Sequence, residues 1–186
     1  NFSEIVIILL DIVNAFDTQD LKIAEMVGRE GRVPIFAVNK WDLEKRKSIK
    51  IRELQEKLNL LLPQFSGAEL VPISAKTGHG VKKLNEVIKK YHNIWKKRVS
   101  TSELNSWLMD QLNYHPPPMI KGRRIKIRYV TQAKTRPPTF IFFGSRSNEV
   151  PKSYERYLIN SLRSNFKLLG IPIRVIFRSS ENPYSA

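Results

Sequence analysis

Short apolar runs that each end in a polar residue constrain the fold of this 186-residue chain more than any other feature. The first run, E-I-V-I-I-L-L over 4–10, stops at Asp11, and the second, P-I-F-A-V over 34–38, is followed by Asn39. Continuous apolar runs of this length are typical of strands that are buried on both faces. The two runs therefore predict interior strands of an α/β layer.

Helical patterns alternate with these runs. Apolar residues recur at helical spacing near 21–27, 48–62 and 81–98, with a third strand predicted over 68–73. Ser48 is predicted to cap the second helix and Pro63 to end it. Strands that alternate with helices predict βαβ units, and hence a mostly parallel sheet with flanking helices.

The pattern changes near residue 100. Ser100 and Glu103 have the spacing of a capping box, so a new helix is predicted to begin there and to run to about Leu112. Strands are predicted over 124–131, 139–143 and 171–177, and a helix over 154–169. This α-β-β-α-β order predicts an α+β domain over 100–186, after an α/β domain over 1–99.

Alternation within the stretch 124–131 predicts which side chains enter the core of the second domain. Ile125, Ile127 and Tyr129 are expected on the buried face, with Lys126 and Arg128 facing solvent.

Composition excludes several function classes and favours one. The chain has no cysteine, which excludes disulfides, thiolate catalysis and cysteine-based metal sites. No apolar run approaches the 18 residues of a membrane-spanning helix. The net charge of +15 indicates a polyanionic partner. Residues 101–186 carry 14 basic and 5 acidic side chains, against 18 and 12 in 1–100, so the polyanion is expected to bind the second domain.

The sequence Asn39-Lys40-Trp41-Asp42 follows directly on the second buried run. In an open α/β sheet, ligands bind at the carboxyl ends of strands. The Asp42 carboxylate can accept hydrogen bonds from N1–H and the exocyclic amine of guanine, and such a site rejects adenine by roughly 10⁴ or more. Asn39 is predicted to bind the base edge and to tie neighbouring loops together. The aliphatic stem of Lys40 is predicted to lie against the base.

A second polar stretch, Ser74-Ala75-Lys76, follows the next predicted strand. Its backbone N–H groups are expected to face the base oxygen, since the small Ala75 lets the backbone come close. Polar turns without a ligand are the alternative, because the segment 77–80 has turn composition. The two loops at successive strand ends favour a guanine pocket.

These motifs resemble the C-terminal part of the bacterial Der/EngA GTPases, which have two tandem Era-like GTPase domains and a C-terminal KH-like domain. The resemblance covers essentially the whole chain: N-K-W-D at 39–42, S-A-K-T-G at 74–78, I-K-I-R-Y-V-T-Q-A-K-T-R-P-P-T-F at 125–140, S-Y-E-R-Y-L at 153–158 and G-I-P-I-R-V at 170–175. It implies the C-terminal part of the second, P-loop GTPase domain over 1–99 and a KH-like domain over 100–186.

The resemblance also implies a function. It implies a cytoplasmic bacterial GTPase that converts GTP to GDP and phosphate and acts in assembly of the large ribosomal subunit. The implied ligands of the full-length protein are GTP or GDP and Mg²⁺, and its implied partners are the large ribosomal subunit, ribosomal RNA and the first GTPase domain in cis. The residues implied in nucleotide binding here are Asn39, Lys40, Asp42, Ser74, Ala75 and Lys76.

The chain departs from the family pattern in one respect that bears on activity. It contains neither G-x-x-x-x-G-K-[ST] nor D-x-x-G, the motifs that hold the phosphates and Mg²⁺. No catalytic residue and no metal ligand is therefore predicted in it, and it is expected to be part of a longer protein. Without a phosphate-binding loop, tight nucleotide binding and hydrolysis are not expected of this chain alone.

A dense basic run in the second domain is the candidate RNA-binding surface. Its members are Lys121, Arg123, Arg124, Lys126, Arg128, Lys134 and Arg136, with Arg146, Lys152 and Arg156 as an extension. No G-x-x-G occurs in this part of the chain, so the usual backbone clamp of KH domains is missing. The run predicts salt-sensitive contacts with phosphates of ribosomal RNA, and a solvated strand face is the alternative.

Two further interpretations remain open. The chain alone could act as a non-enzymatic RNA-binding or protein-docking module. It could also be a phosphoacceptor receiver domain with Asp11, Ser74 and Lys76 at three strand ends, although a receiver needs an upstream acidic pair for Mg²⁺ that this sequence lacks.

Overall fold

The computed structural model describes residues 3–179, which divide into two compact units. The described part of the first unit comprises 3–96 together with Leu168–Pro172. The described part of the second comprises Lys97–Lys167 together with 173–179.

The first unit is a parallel sheet with helices, as the alternating pattern predicted. Its elements are β1 (Ile5–Asp11), α1 (Thr18–Arg29), β2 (Val33–Asn39), α2 (Lys47–Leu61), β3 (Leu70–Pro72) and α3 (Val81–Trp95). The strand order is β1-β2-β3, and both neighbouring pairs are parallel. Asp11 pairs with Asn39, and Val38 pairs with Pro72. All three strands therefore end at the same edge of the sheet.

Burial on both faces holds for β2 but is wrong for β1. Every residue of β2 before Asn39 is buried, whereas Ile7 and Leu9 of β1 are 44% and 56% exposed. The helices α1 and α2 share a core with Ile8 and Leu10 on one face of β1. On the other face, α3 contacts β2 and β3, and Ile7 and Leu9 remain partly exposed.

The limits of α2 confirm one expectation and correct another. The helix ends just before Pro63, as predicted, because proline cannot extend it. It begins at Lys47, so Ser48 lies inside the first turn and is not the cap. The N-cap position belongs to Arg46, whose side chain makes no capping hydrogen bond.

The second unit has the predicted α-β-β-α-β order, with an additional short hairpin. Its elements are α4 (Thr101–Tyr114), β4 (Met119–Ile120), β5 (Arg123–Arg124), β6 (Lys126–Thr135), β7 (Pro138–Ser145), α5 (Lys152–Asn165) and β8 (Arg174–Ser179). The main sheet has the order β6-β7-β8, with β6 antiparallel and β8 parallel to β7. The predicted capping box of Ser100 and Glu103 is present at the start of α4.

Aromatic contacts fill the space between this sheet and its helices. Trp107 of α4 lies 6.3 Å from Phe142 and 5.8 Å from Phe166 between ring centroids. Phe142 in turn lies 5.3 Å from Phe177 of β8. We call the sheet face that carries Phe142 the inner face.

The placement of Tyr129 corrects the predicted alternation. The ladder between β6 and β7 shifts between Ile127 and Tyr129, so Arg128 is an extra residue in a β-bulge. A bulge moves the following side chains to the opposite face. Val130 consequently occupies the core, while Tyr129 is 48% exposed on the outer face.

The last helix and strand are both shorter than predicted. The helix α5 ends at Asn165 and β8 begins at Arg174. Between them, the segment Leu168–Pro172 belongs to the first unit, where the Gly170 N–H donates to the Ser66 carbonyl at 3.2 Å. Ile171 is completely buried in that segment, so it does not extend the last strand.

Candidate functional site

Two loops lie side by side at the carboxyl edge of the parallel sheet. The ladder continues beyond the strands, because the Ile73 N–H donates to the Val38 carbonyl at 2.8 Å and the Trp41 N–H donates to the Ile73 carbonyl at 3.0 Å. The loops 39–42 and 74–78 start directly from this ladder. The structure thus brings together the two polar stretches that the sequence analysis singled out.

Asn39 joins the two loops through its side chain. Its Oδ1 accepts a hydrogen bond from the Ala75 backbone N–H at 3.0 Å. The expected tie between the loops is therefore present. The Ala75 N–H was expected to face a ligand, but it donates to Asn39 instead.

The backbone of Lys40 is left-handed, and its ammonium group pairs with the carboxylate of Asp11. Its φ of 63° lies in the left-handed region, and its Nζ lies 2.6 Å from Oδ2 of Asp11. The hydrogen bond from Lys40 is the main reason that the pKa of Asp11 lies below its ordinary value, and a bond from the Val13 N–H adds to it. Asp11 therefore positions Lys40, a role that the sequence analysis missed although its place at the end of β1 was visible.

Asp42 presents an ionised carboxylate at the same edge. The hydrogen bond with the Ser74 side chain is the largest cause of a lowered pKa at Asp42, and the charge of Lys76 adds to it. Ser74 is completely buried and also accepts from the Thr77 N–H at 3.2 Å. Because the pKa of Asp42 lies below 3.8, the exposed carboxylate remains an acceptor at neutral pH.

The loop that follows Ser74 closes back on β3. The Ser74 N–H donates to the His79 carbonyl at 3.0 Å, and the Gly78 N–H donates to the Ser74 carbonyl at 2.9 Å. Gly80 has a φ of +77°, and a Cβ atom there would lie 2.1 Å from the Pro72 carbonyl oxygen. Only glycine fits at position 80, so this residue fixes the course of the loop.

The donor and acceptor set at this edge fits a guanine base. Asp42 supplies a solvent-facing pair of acceptor oxygens, and Lys40 supplies an alkyl stem whose end is held on Asp11. The cationic partner of Asp11 is Lys40, whereas Lys76 acts on Asp42, which does not match the receiver arrangement of Asp11 with Lys76. Within 3–179, no group of three or more metal-ligating side chains is present.

The seven members of the basic run are all exposed. Arg123 and Arg124 form β5, and Lys121 lies in the turn of the β4–β5 hairpin. Lys126, Arg128 and Lys134 belong to β6, and Arg136 follows it.

Two of the three residues that were expected to extend the basic run are paired with carboxylates. Arg146 forms an ion pair with Glu149, with Nε 2.7 Å from Oε1, and Lys152 lies 2.8 Å from Glu155. These two cations are therefore offset by neighbouring carboxylates. Arg156 is exposed on α5.

This chain is similar in sequence to proteins of known families. The model of the "KH-domain-like of EngA bacterial GTPase enzymes, C-terminal" family matches residues 98–178. The chain is 50% identical over 185 residues to GTPase Der of Ruegeria pomeroyi and 51% identical over 184 residues to GTPase Der of Mesorhizobium japonicum. The chain matches the Der/EngA family. The resemblance inferred from its motifs is thus confirmed.

The match to the Der proteins covers almost the whole chain but only part of each relative. The aligned region is 98–99% of this chain and 38% of either relative. The order of an α/β unit followed by a KH-like unit agrees with the predicted fold class.

A solved structure of Era with MgGDPNP and nucleotides 1506–1542 of 16S ribosomal RNA is also similar. The similarity has a TM-score of 0.41 at 15% identity, over 95% of this chain and 65% of that one, which is too low to bear on function. Separately, none of the helices in the described residues combines the length and the apolar character needed to cross a membrane.

Proposed function

We propose that this chain is part of a GTPase that acts in assembly of the large ribosomal subunit. The observation that carries the proposal is that loops 39–42 and 74–78 lie side by side at the carboxyl edge of the sheet and are joined by the hydrogen bond from the Ala75 N–H to Asn39. The Der relatives are named GTPases, which supports the same activity. The activity of GTP conversion to GDP and phosphate is assigned to the full-length protein.

In this proposal, the first unit selects guanine. Asp42 accepts from N1–H and the exocyclic amine, Asn39 binds the base edge, and Lys40 lies against the ring. Ser74 holds Asp42, while Ala75 and Lys76 complete the pocket. Mg²⁺ and the phosphates would be held by residues outside this chain, so GTP hydrolysis is not expected of the chain by itself.

The proposed assignment of the second unit is contact with ribosomal RNA. Its seven exposed cations, named above as the basic run, support this role because they form a positive surface that phosphates would neutralise. The proposed domains are a partial GTPase domain over 1–99 and a KH-like domain over 100–186, of which 180–186 lie outside the described residues. The proposed setting is the bacterial cytoplasm, with the large ribosomal subunit and a further GTPase domain in cis as partners.

The guanine assignment is tested by a matched pair of charge-neutralising variants. Guanosine and adenosine binding are measured by saturation-transfer NMR on the parent chain, on Asp42→Asn and on Asp110→Asn, an exposed acid of α4. We expect a guanosine preference that falls by about ten-fold or more in Asp42→Asn, because a hydrogen-bonded charge is removed. Equal binding of both nucleosides by the parent chain would refute the assignment.

A second candidate function is a non-enzymatic RNA-binding or protein-docking module. The exposed basic run favours it, since that surface needs no nucleotide. RNA binding that is unchanged by guanosine and by Asp42→Asn, together with no guanosine preference, would select this alternative.

A further inference from the structure

The outer face of the β6-β7-β8 sheet carries an aromatic pair that the core does not need. Tyr129 and Phe143 are register partners, and their rings stack with centroids 4.6 Å apart at an interplanar angle of 12°. The bulge at Arg128 turns Tyr129 to this face. The inner face is already filled by Phe142 and its aromatic neighbours.

The apolar surface continues from this pair across the sheet. In the next row, Ile141 of β7 pairs with Ile176 of β8, and Ile176 is 42% exposed. Alternation along β7 and β8 puts both isoleucines on the same face as Phe143. Ile141 itself is only 9% exposed, so Ile176 and Tyr129 are the large side chains that this face exposes most.

The charged side chains on the three strands of this sheet all have one sign. The three strands contain five basic residues and no acidic residue: Lys126, Arg128, Lys134, Arg174 and Arg178. Arg178 is the register partner of Phe143 on the side opposite Tyr129. The carboxylate near the end of β7, Glu149, is held by Arg146. A ligand on this face therefore meets aromatic surface flanked by cations.

Unpaired bases of RNA match this combination of chemistry. Each base offers a flat π-face, and each phosphate offers a negative charge at the spacing of the bases. Stacking on an aromatic side chain tolerates any sequence and adds to affinity together with a positive groove. Strands that carry cations and no carboxylate, as β6, β7 and β8 do over their described residues, suit a polyanion, which would be repelled by acidic side chains.

We propose that the outer face of this sheet, centred on Tyr129 and Phe143, is a stacking platform for single-stranded RNA. The inference rests on the proposed RNA-binding function and deepens it. It assigns base contact to the sheet, in addition to the phosphate contacts of the basic run. It also replaces the missing G-x-x-G clamp by a different mode of single-strand binding.

The decisive variants remove the ring without changing the charge. Binding of a fluorescent, unstructured twelve-nucleotide RNA to the whole 186-residue chain is measured at several salt concentrations for the parent, Tyr129→Leu and Phe143→Leu. We expect affinity to fall about ten-fold in Tyr129→Leu with the salt slope unchanged, because a stacked base is lost and no phosphate contact is. The control is Tyr114→Leu, since Tyr114 is 86% exposed at the end of α4 and lies outside the three strands of the sheet.

A fluorescence readout tests stacking directly. The three natural tryptophans, Trp41, Trp95 and Trp107, are all buried, so Tyr129→Trp places an exposed indole on the platform. RNA is expected to quench this added emission and to bind Tyr129→Trp at least as tightly as the parent. Absence of quenching at saturating RNA would overturn the platform.

Failure of the platform and failure of RNA binding give different results. If Tyr129→Leu binds RNA as the parent does, while Lys126→Gln and Arg124→Gln weaken binding, the RNA-binding function stands and the platform is refuted. If the parent chain does not bind the RNA at low salt, the proposed function itself fails. If Phe143→Leu unfolds, which its thermal midpoint reports, the exposed Tyr129 decides the question alone.

Discussion

The two candidate surfaces of this molecule are built in opposite ways. At the edge of the first unit, Asn39 accepts from the Ala75 N–H, Lys40 pairs with Asp11, and Ser74 lowers the pKa of Asp42. The basic run of the second unit consists of exposed cations on a hairpin and an edge strand. Ligand binding at the first surface depends on how specific side chains are positioned by their contacts. Ligand binding at the second depends on the number of exposed positive charges. Substitutions that remove the contacts between loops of the first surface should therefore lower stability, whereas substitutions in the basic run should lower RNA affinity.

The largest expected loss of stability follows a substitution of Gly80. Gly80→Ala should destabilise the first unit by more than about 3 kcal/mol, because a Cβ meets the Pro72 carbonyl oxygen and the backbone is left-handed. Urea unfolding followed by circular dichroism measures this loss. The matched control is Gly78→Ala, which has a φ of +78° but no atom within 4 Å of the added Cβ. It should cost only about 1 kcal/mol, and equal costs would show that the loop is not fixed by contact with β3.

A smaller effect is expected at the tie between the loops. Asn39→Ala removes the acceptor of the Ala75 N–H and should lower the free energy of unfolding by about 1 kcal/mol. The control, Asn113→Ala on the exposed side of α4, should change it by less than about 0.5 kcal/mol. Indistinguishable values for the two variants would mean that the bond adds nothing to stability.

In the second unit, removing cations from the basic run should change RNA binding and leave stability almost unaltered. The triple variant of Lys121, Arg124 and Lys126 to glutamine should change stability by less than about 0.5 kcal/mol per site, because these side chains are exposed. The same variant should reduce the salt slope of single-stranded RNA binding by about 0.7 per residue, as fewer phosphates are neutralised.

The control for this variant removes the same charge from the first unit. Lys82, Lys89 and Lys96 are exposed, and their combined change to glutamine should leave the RNA salt slope unaltered. If both triple variants lower the slope equally, net charge and not the basic run determines RNA binding.

The smallest expected effect is a change in the pKa of Asp11. The pKa of Asp11 lies below 3.8 because Lys40 donates to it, so Lys40→Met should raise that pKa toward its ordinary value. A depressed carboxyl pKa contributes stability above the unfolded value that is lost as pH falls through the folded value. The contribution is small here because Asp11 is partly exposed. Carbon-detected NMR titration follows the carboxyl, with Lys45→Met as the control that should leave it unchanged.

The sequence was most informative where backbone topology alone decides position. Parallel strands must end at a common edge, so the closeness of Asn39 and Ser74 could be predicted from two buried runs. The pairing of Lys40 with Asp11 could not, because it depends on a left-handed backbone at residue 40. Tyr129 was misplaced for a similar reason, since period-two alternation carries no signal for a bulge. The segment Leu168–Pro172 has the sequence pattern of a helix end and a strand start, but it belongs to the first unit.

The most direct test of the account is amide chemical-shift mapping on the 186-residue chain with two ligands. Guanosine is predicted to shift the amides of loops 39–42 and 74–78, while adenosine does not. Unstructured RNA is predicted to shift β6, β7 and the β4–β5 hairpin instead. Guanosine and RNA shifting the same amides, or guanosine and adenosine shifting equal sets, would contradict the division between a guanine site and an RNA surface.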